Sequence, residues 1–147
     1  MRSLLGGLLI ACAASIVLVV PASAELSPER QACDGSEPQY SLDQQIAGCT
    51  AVIEGGGISQ DNLASAYSNR GVAYYSKGQY DKTIADNDRA IALKPDFANA
   101  FYGRGMAYAR LGQCDRGMAD ANESFRLDPN STAREVVTKI CASKGTH

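Results

Sequence analysis

His147 is the only histidine in the chain and its last residue. That argues against a histidine-based triad, a histidine acid–base pair and a histidine zinc site. The carboxylates Asp86, Asp88, Asp120 and Glu123 are the nearest thing to a glycosidase-like pair. Helical periodicity spreads them over exposed or inter-helix faces, where a solvated or ion-paired role is the ordinary reading. Of five cysteines, Cys12 falls in an apolar leader and four remain: Cys33, Cys49, Cys114 and Cys141. No C-x-x-C occurs, so neither a dithiol redox centre nor a zinc ribbon has support. The residue types point to no catalytic group, no metal and no cofactor.

The leader fixes the expected compartment. Met1-Arg2 is followed by an uncharged apolar run from Ser3 to Val20, and Pro21-Ala22-Ser23-Ala24 offers an A-x-A cleavage site. Residues 1–24 read as a secretory signal peptide. An uncleaved anchor and a lipobox at Leu9-Ile10-Ala11-Cys12 are the alternatives. Cleavage after Ala24 leaves 13 Lys+Arg against 16 Asp+Glu, a balance with no basic face for nucleic acid and no membrane attachment. An exported chain with four cysteines suggests two disulfides, in one of three connectivities. The expected location is periplasmic or secreted.

The elements that position these residues come from an internal repeat. Laying 64–97 over 98–131 without a gap matches Arg70 with Arg104, Gly71 with Gly105, Tyr74 with Tyr108, Gly78 with Gly112, Asp86 with Asp120 and Pro95 with Pro129, among others. Each unit reads as two helices. Leu63, Tyr67, Tyr74 and Tyr75 stand at helical spacings, Gly78 ends that helix, and Tyr80, Ile84, Ala90, Ile91 and Leu93 form a second run that stops at Pro95. Mid-helix Gly71 and Gly105 cost about 1 kcal/mol each relative to Ala, which close helix approach explains. Before the repeats, Ser41–Glu54 carries an apolar side and ends at Gly55-Gly56-Gly57. After them, Thr132-x-x-Glu135 has the form of a capping box, ahead of Val136, Val137, Ile140 and Cys141.

This 34-residue plan resembles the tetratricopeptide repeat family, with small residues at the helix crossing, glycine in the turn and proline at the end. Arg70 and Arg104 depart from it, standing where leucine is usual. Thr83 and Gly117 replace the small alanine of the second helix, and Cys114 replaces the tyrosine that opens it. The resemblance implies an all-α, right-handed solenoid of about six helices. The expected units are an irregular segment at 25–40, a partial repeat at 41–63, repeats at 64–97 and 98–131, and a capping helix at 132–144.

It also implies function: a non-enzymatic module that binds a protein or peptide partner on a concave face lined by the first helix of each pair. Ser65, Ser68, Asn69, Val72, Tyr75 and Ser76 belong to that face in one repeat; Asn99, Tyr102, Met106, Ala109 and Arg110 do so in the next. Asn69, Tyr75, Tyr102, Met106 and Arg110 are the expected contacts, with packing between neighbouring helices as the alternative for Tyr75 and Met106. The family's clamp for a terminal carboxylate is not carried over, since Val72 and Met106 stand where it needs polar groups. The alternative function is a structural accessory of a periplasmic or envelope assembly without a peptide groove.

Cys33 lies shortly before the helix that carries Cys49, so a bridge would pin the irregular segment onto the stack. Antiparallel neighbours bring Cys114 at the start of one helix to Cys141 near the end of the next. Cys33–Cys49 and Cys114–Cys141 are the expected pairs, against four free thiols. Arg70 with Asp86, and Arg104 with Asp120, come opposite one another in each hairpin. They are expected to form ion pairs rather than extend separately to solvent.

Overall fold

The computed structural model describes residues 27–35 and 39–144; the expected leader and cleavage site lie outside them. Seven α-helices are formed there: α1 (Pro28–Asp34), α2 (Leu42–Gly55), α3 (Gln60–Ser76), α4 (Tyr80–Leu93), α5 (Ala98–Arg110), α6 (Cys114–Leu127) and α7 (Ala133–Lys144). The sequence leads one to expect six. The additional one, α1, lies in the stretch expected to be irregular. Its start has a local cause: the Ser27 hydroxyl accepts the Arg30 N–H at 3.4 Å and Pro28 takes a first-turn position. Two turns suffice because Ala32 and Cys33 are buried.

The other boundaries follow from capping. Ser41 and Gln44 close a reciprocal capping box at α2, at 3.3 and 2.9 Å. Ser59 caps α3 through the Asn62 N–H at 3.2 Å, so this helix begins four residues before the repeat boundary at Ala64. Gly78 and Gly112 turn the chain out of α3 and α5 at φ 72° and 80°. There the N–H of Gln79 reaches Tyr74 O and that of Gln113 reaches Tyr108 O, both at 2.9 Å. The positive φ of these closures favours glycine strongly. At α7 the capping box expected from Thr132 and Glu135 gives way to other partners. Glu135 accepts from Lys139 at 2.7 Å, and the Ser131 hydroxyl accepts the Ala133 N–H at 3.3 Å.

Helices pack as consecutive antiparallel pairs, with α7 laid on α5 and α6. The first helices form one continuous layer: α1 touches α3, α3 touches α5, and α5 touches α7. Among the described residues no two of α2, α4 and α6 touch. A stack whose members meet on one side and splay on the other curves toward the meeting side, which makes α1, α3, α5 and α7 the inner layer.

The core is made largely of alanine. Ala64, Ala73, Ala90, Ala100, Ala107, Ala109, Ala121 and Ala133 are fully buried, and Val137 is the largest side chain buried to that degree. Such a core gains its contact energy from close backbone approach rather than from large aliphatic groups. The glycines permit the approach. A Cβ on Gly105 would lie 3.0 Å from the Gly117 carbonyl oxygen and 3.2 Å from Asp120 Cβ; one on Gly71 would lie 2.9 Å from the Asn87 amide nitrogen. Thr83, one of the departures from the repeat pattern, uses the same crossing: its hydroxyl donates to Gly71 O at 3.1 Å.

The two arginines build a polar ladder through the array. Arg70 Nε and Nη2 donate to Asp86 Oδ2 and Oδ1, each at 2.8 Å; Arg104 repeats the fork on Asp120 at the same distances. Each also reaches back to the preceding pair, Arg70 to the Thr50 hydroxyl at 2.9 Å and Arg104 to Asp88 at 2.6 Å. The sequence leads one to expect bridges within repeats; the backward contacts join repeats as well. Tyr67 and Phe101 stack on the guanidiniums, with centroids at 5.6 and 5.5 Å. Hydrogen bonding, to Asp86 for Arg70 and to Asp120 for Arg104, raises both arginines above their ordinary pKa against the opposing effect of burial. Both arginines therefore stay charged at any working pH.

Candidate protein-interaction face

Inner-layer residues divide by what α7 and the neighbouring helices cover. Val72, one turn before the end of α3, is 56% exposed, more than Leu111 at 38%. Val72 and Leu111 are the exposed large apolar side chains among the described residues, and Val72 is the one carried by an inner-layer helix. Tyr75, one turn further along α3, is half-buried: it meets Tyr80 edge to face at 5.4 Å and accepts from Arg110 Nε at 2.9 Å. Arg110 is exposed, and this hydrogen bond raises its pKa. The pair links the ends of α3 and α5, so Tyr75 presents one ring edge within a fixed frame. Asn69 is half-buried and shares a cleft of about 190 Å³ with Arg30, Cys33, Asp34, Val52 and Ser65.

Tyr102 and Met106 take a different role. Both pack against the buried cluster of Ala109, Ala121, Ala133, Val137 and Ile140, because α7 docks on α5 and claims that side of the helix. They are partly core, and Met106 follows the packing alternative. Ser68 and Ala109, placed on the concave face by the repeat register, are buried and present no surface. Asn99 is exposed. The face that remains accessible is therefore centred on α3 and the end of α5.

Other groups considered for chemistry are engaged structurally. Asp86, Asp88 and Asp120 hold the arginine ladder, and Glu123 receives Arg126 at 2.6 Å. The pairing with Arg126 lowers the Glu123 pKa. Disulfides join Cys33 to Cys49 and Cys114 to Cys141. Among the described residues no three His, Cys, Asp or Glu side chains converge as a metal site would require, and no helix is long and apolar enough to cross a membrane.

One buried residue has no sequence signal of function or packing. Asn87 fills the space left by Gly71 and Gly103, where added Cβ atoms would lie 2.9 and 3.0 Å from its amide nitrogen. It donates to Thr83 O at 2.9 Å, and its Oδ1 has no hydrogen-bond partner. Glycine at both 71 and 103 is the only hint of it in the sequence.

A family model for the TPR repeat matches residues 71–112. Solved structures match over most of the chain. An Arabidopsis OM64 TPR domain superposes with a TM-score of 0.67 at 18% identity, covering 79% of this chain and 92% of its own. The first TPR of Spaghetti (RPAP3), bound to the HSP90 peptide SRMEEVD, gives 0.67 at 20% identity, covering 80% and 90%. The helical array has the fold of a TPR domain. The second TPR domain of human RPAP3, in complex with the HSP70 peptide SGPTIEEVD, gives 0.64 at 22% identity, covering 81% and 93%. No significant match is found among curated protein sequences. Within this fold, the departures noted from the sequence have structural uses. Arg70 and Arg104 form the ladder, Thr83 bonds across the helix crossing, Gly117 allows contact with Gly105, and Cys114 is cross-linked to the terminal helix.

Proposed function

We propose that this protein is an exported, non-enzymatic module that holds a peptide or helix of a protein partner on its inner face, chiefly on α3. The observation that carries the reading is Val72, an apolar group 56% exposed at the centre of that face, with Asn69, Tyr75 and Arg110 around it. The peptide complexes of the structural neighbours support the general mode. The chemistry here differs from a charged clamp, because an apolar anchor flanked by amide, phenol and guanidinium groups suits a segment with an apolar side chain at its centre.

Val72→Glu should weaken partner capture at least about tenfold, as expected when a charge is placed at an apolar hot spot, while leaving the thermal midpoint nearly unchanged. Tyr102→Ala is a poor probe by comparison, since its ring packs on the α7 core and its loss should also reduce stability. Capture from an envelope extract of the source organism, run in parallel on wild type and Val72→Glu, tests the reading. A stoichiometric protein retained equally by both would show that this face is not the site. The second reading, an accessory subunit without a groove, draws on Tyr102 and Met106 being half-buried against the α7 cluster; it predicts no retained peptide or protein at α3.

Export rests on the leader and on the paired cysteines. The mature protein is expected in the periplasmic or secreted fraction with Glu25 at its N-terminus. Mass measurement of the purified native protein checks this, and a mass that retains residues 1–24 would refute cleavage.

A further inference from the structure

The two disulfides close the two ends of the array under different conditions. At one end α7 buries Ala133, Val137 and Ile140 against Ala109 and Ala121, so the cystine Cys114–Cys141 supplements an apolar seat. At the other end the buried cluster is Cys33, Cys49 and Ala66; two of its three members are the cystine itself. α1 has seven residues and buries only Ala32 and Cys33. A helix of that length does not persist by itself in water. It lies flat on α2 at Gly48, where a Cβ would meet the Glu29 carbonyl oxygen at 2.7 Å and Ala32 Cβ at 2.8 Å.

We propose that α1 is a redox-released strap: reduction of Cys33–Cys49 detaches it from α2 and α3, whereas reduction of Cys114–Cys141 leaves α7 docked. The reductant is a dithiol. Its thiolate attacks one sulfur of the cystine, forming a mixed disulfide and expelling the other cysteine as a thiolate that takes up a proton. The second thiol of the reductant then displaces the remaining cysteine. The dithiol leaves as a disulfide, having given two electrons, and Cys33 and Cys49 end as thiols. Without the bond, α1 retains its close approach to Gly48 and the polar contacts of Gln31 and Asp34, but too little apolar burial to offset the entropy of ordering seven residues. Its departure removes Arg30, Cys33 and Asp34 from the wall of the cleft and opens Val52, Ala66 and Asn69 to solvent. The release follows from packing alone and does not depend on what the inner face binds.

Hydrogen–deuterium exchange on the full mature protein reads each helix separately. It is run oxidised, with excess dithiol, and on two variants, Cys33→Ala/Cys49→Ala and Cys114→Ala/Cys141→Ala. In the first variant and in the dithiol-treated protein, amides of α1 should exchange like those of an unstructured peptide while α3–α6 keep their protection. In the second variant α7 should stay protected. Retained protection of α1 without the Cys33–Cys49 bond would overturn the proposal. So would loss of α7 in the second variant to the same extent as α1 in the first. If a variant does not fold, the dithiol-treated wild type decides alone, and its global unfolding would equally refute a local strap.

Discussion

Asp86→Ala should destabilise the protein by about 3 kcal/mol, and Asp120→Ala by less, about 2 kcal/mol. Breaking a fully buried pair costs about 3–5 kcal/mol because the surviving charge is stranded, and an exposed pair costs under about 1. The Arg70 and Arg104 side chains are 17% and 20% exposed, which puts both near the lower end of the buried range. The two sites differ in what remains. After Asp86→Ala, Arg70 keeps a neutral hydroxyl on Thr50; after Asp120→Ala, Arg104 keeps the carboxylate of Asp88. Replacing both partners removes the stranded charge, so Arg70→Met with Asp86→Ala should be much less costly than the two single changes added together. Urea midpoints across this double-mutant cycle measure the coupling. Additive single effects would mean that the fork contributes no pairwise stability.

Gly105→Leu should cost about 3 kcal/mol or more, at the upper end of overpacking effects. Its Cβ would meet the Gly117 carbonyl and Asp120 Cβ, both on the facing helix, and neither can move without shifting α6. Gly71→Ala is predicted to be nearly neutral. Its nearest obstacle is the amide end of the buried Asn87 side chain rather than backbone; the few tenths of an ångström that this side chain must give offset the gain of about 1 kcal/mol that alanine has over glycine within a helix. Denaturant unfolding of Gly71→Ala and Gly105→Ala, the same added Cβ at each position, separates the cases, with Gly105→Ala the more costly. Equal effects at both positions would contradict the distinction between a backbone and a side-chain neighbour.

These contrasts show what the sequence could reveal. The offset of 34 residues exposes the helix pairs because each unit needs its neighbour to bury an apolar face, and that need leaves a period. The arginine–aspartate fork is legible for the same reason: an offset of sixteen across a hairpin of known turn position sets both residues opposite. Contacts between repeats are harder to read. Thr50 and Asp88 meet the arginines only through the stacking of successive pairs, which no single repeat encodes. α1 escapes a periodicity reading because seven residues are too few to show a period, although Ser27-Pro28 marks its start. Met106 shares its repeat position with Val72, yet α7 covers it on α5 and leaves Val72 open on α3. Accessibility at equivalent repeat positions is set by the ends of the array.

If the inner face binds a protein partner as proposed, Val72 on α3 lies within the contact. Site-specific photocrosslinking tests it most directly, with the crosslinker placed at Val72 and, as a control, at Ala85, which is exposed on α4. A discrete crosslinked species is expected from position 72 and none from position 85. Crosslinks from position 85 alone, or from neither position in an extract of the source organism, would contradict it.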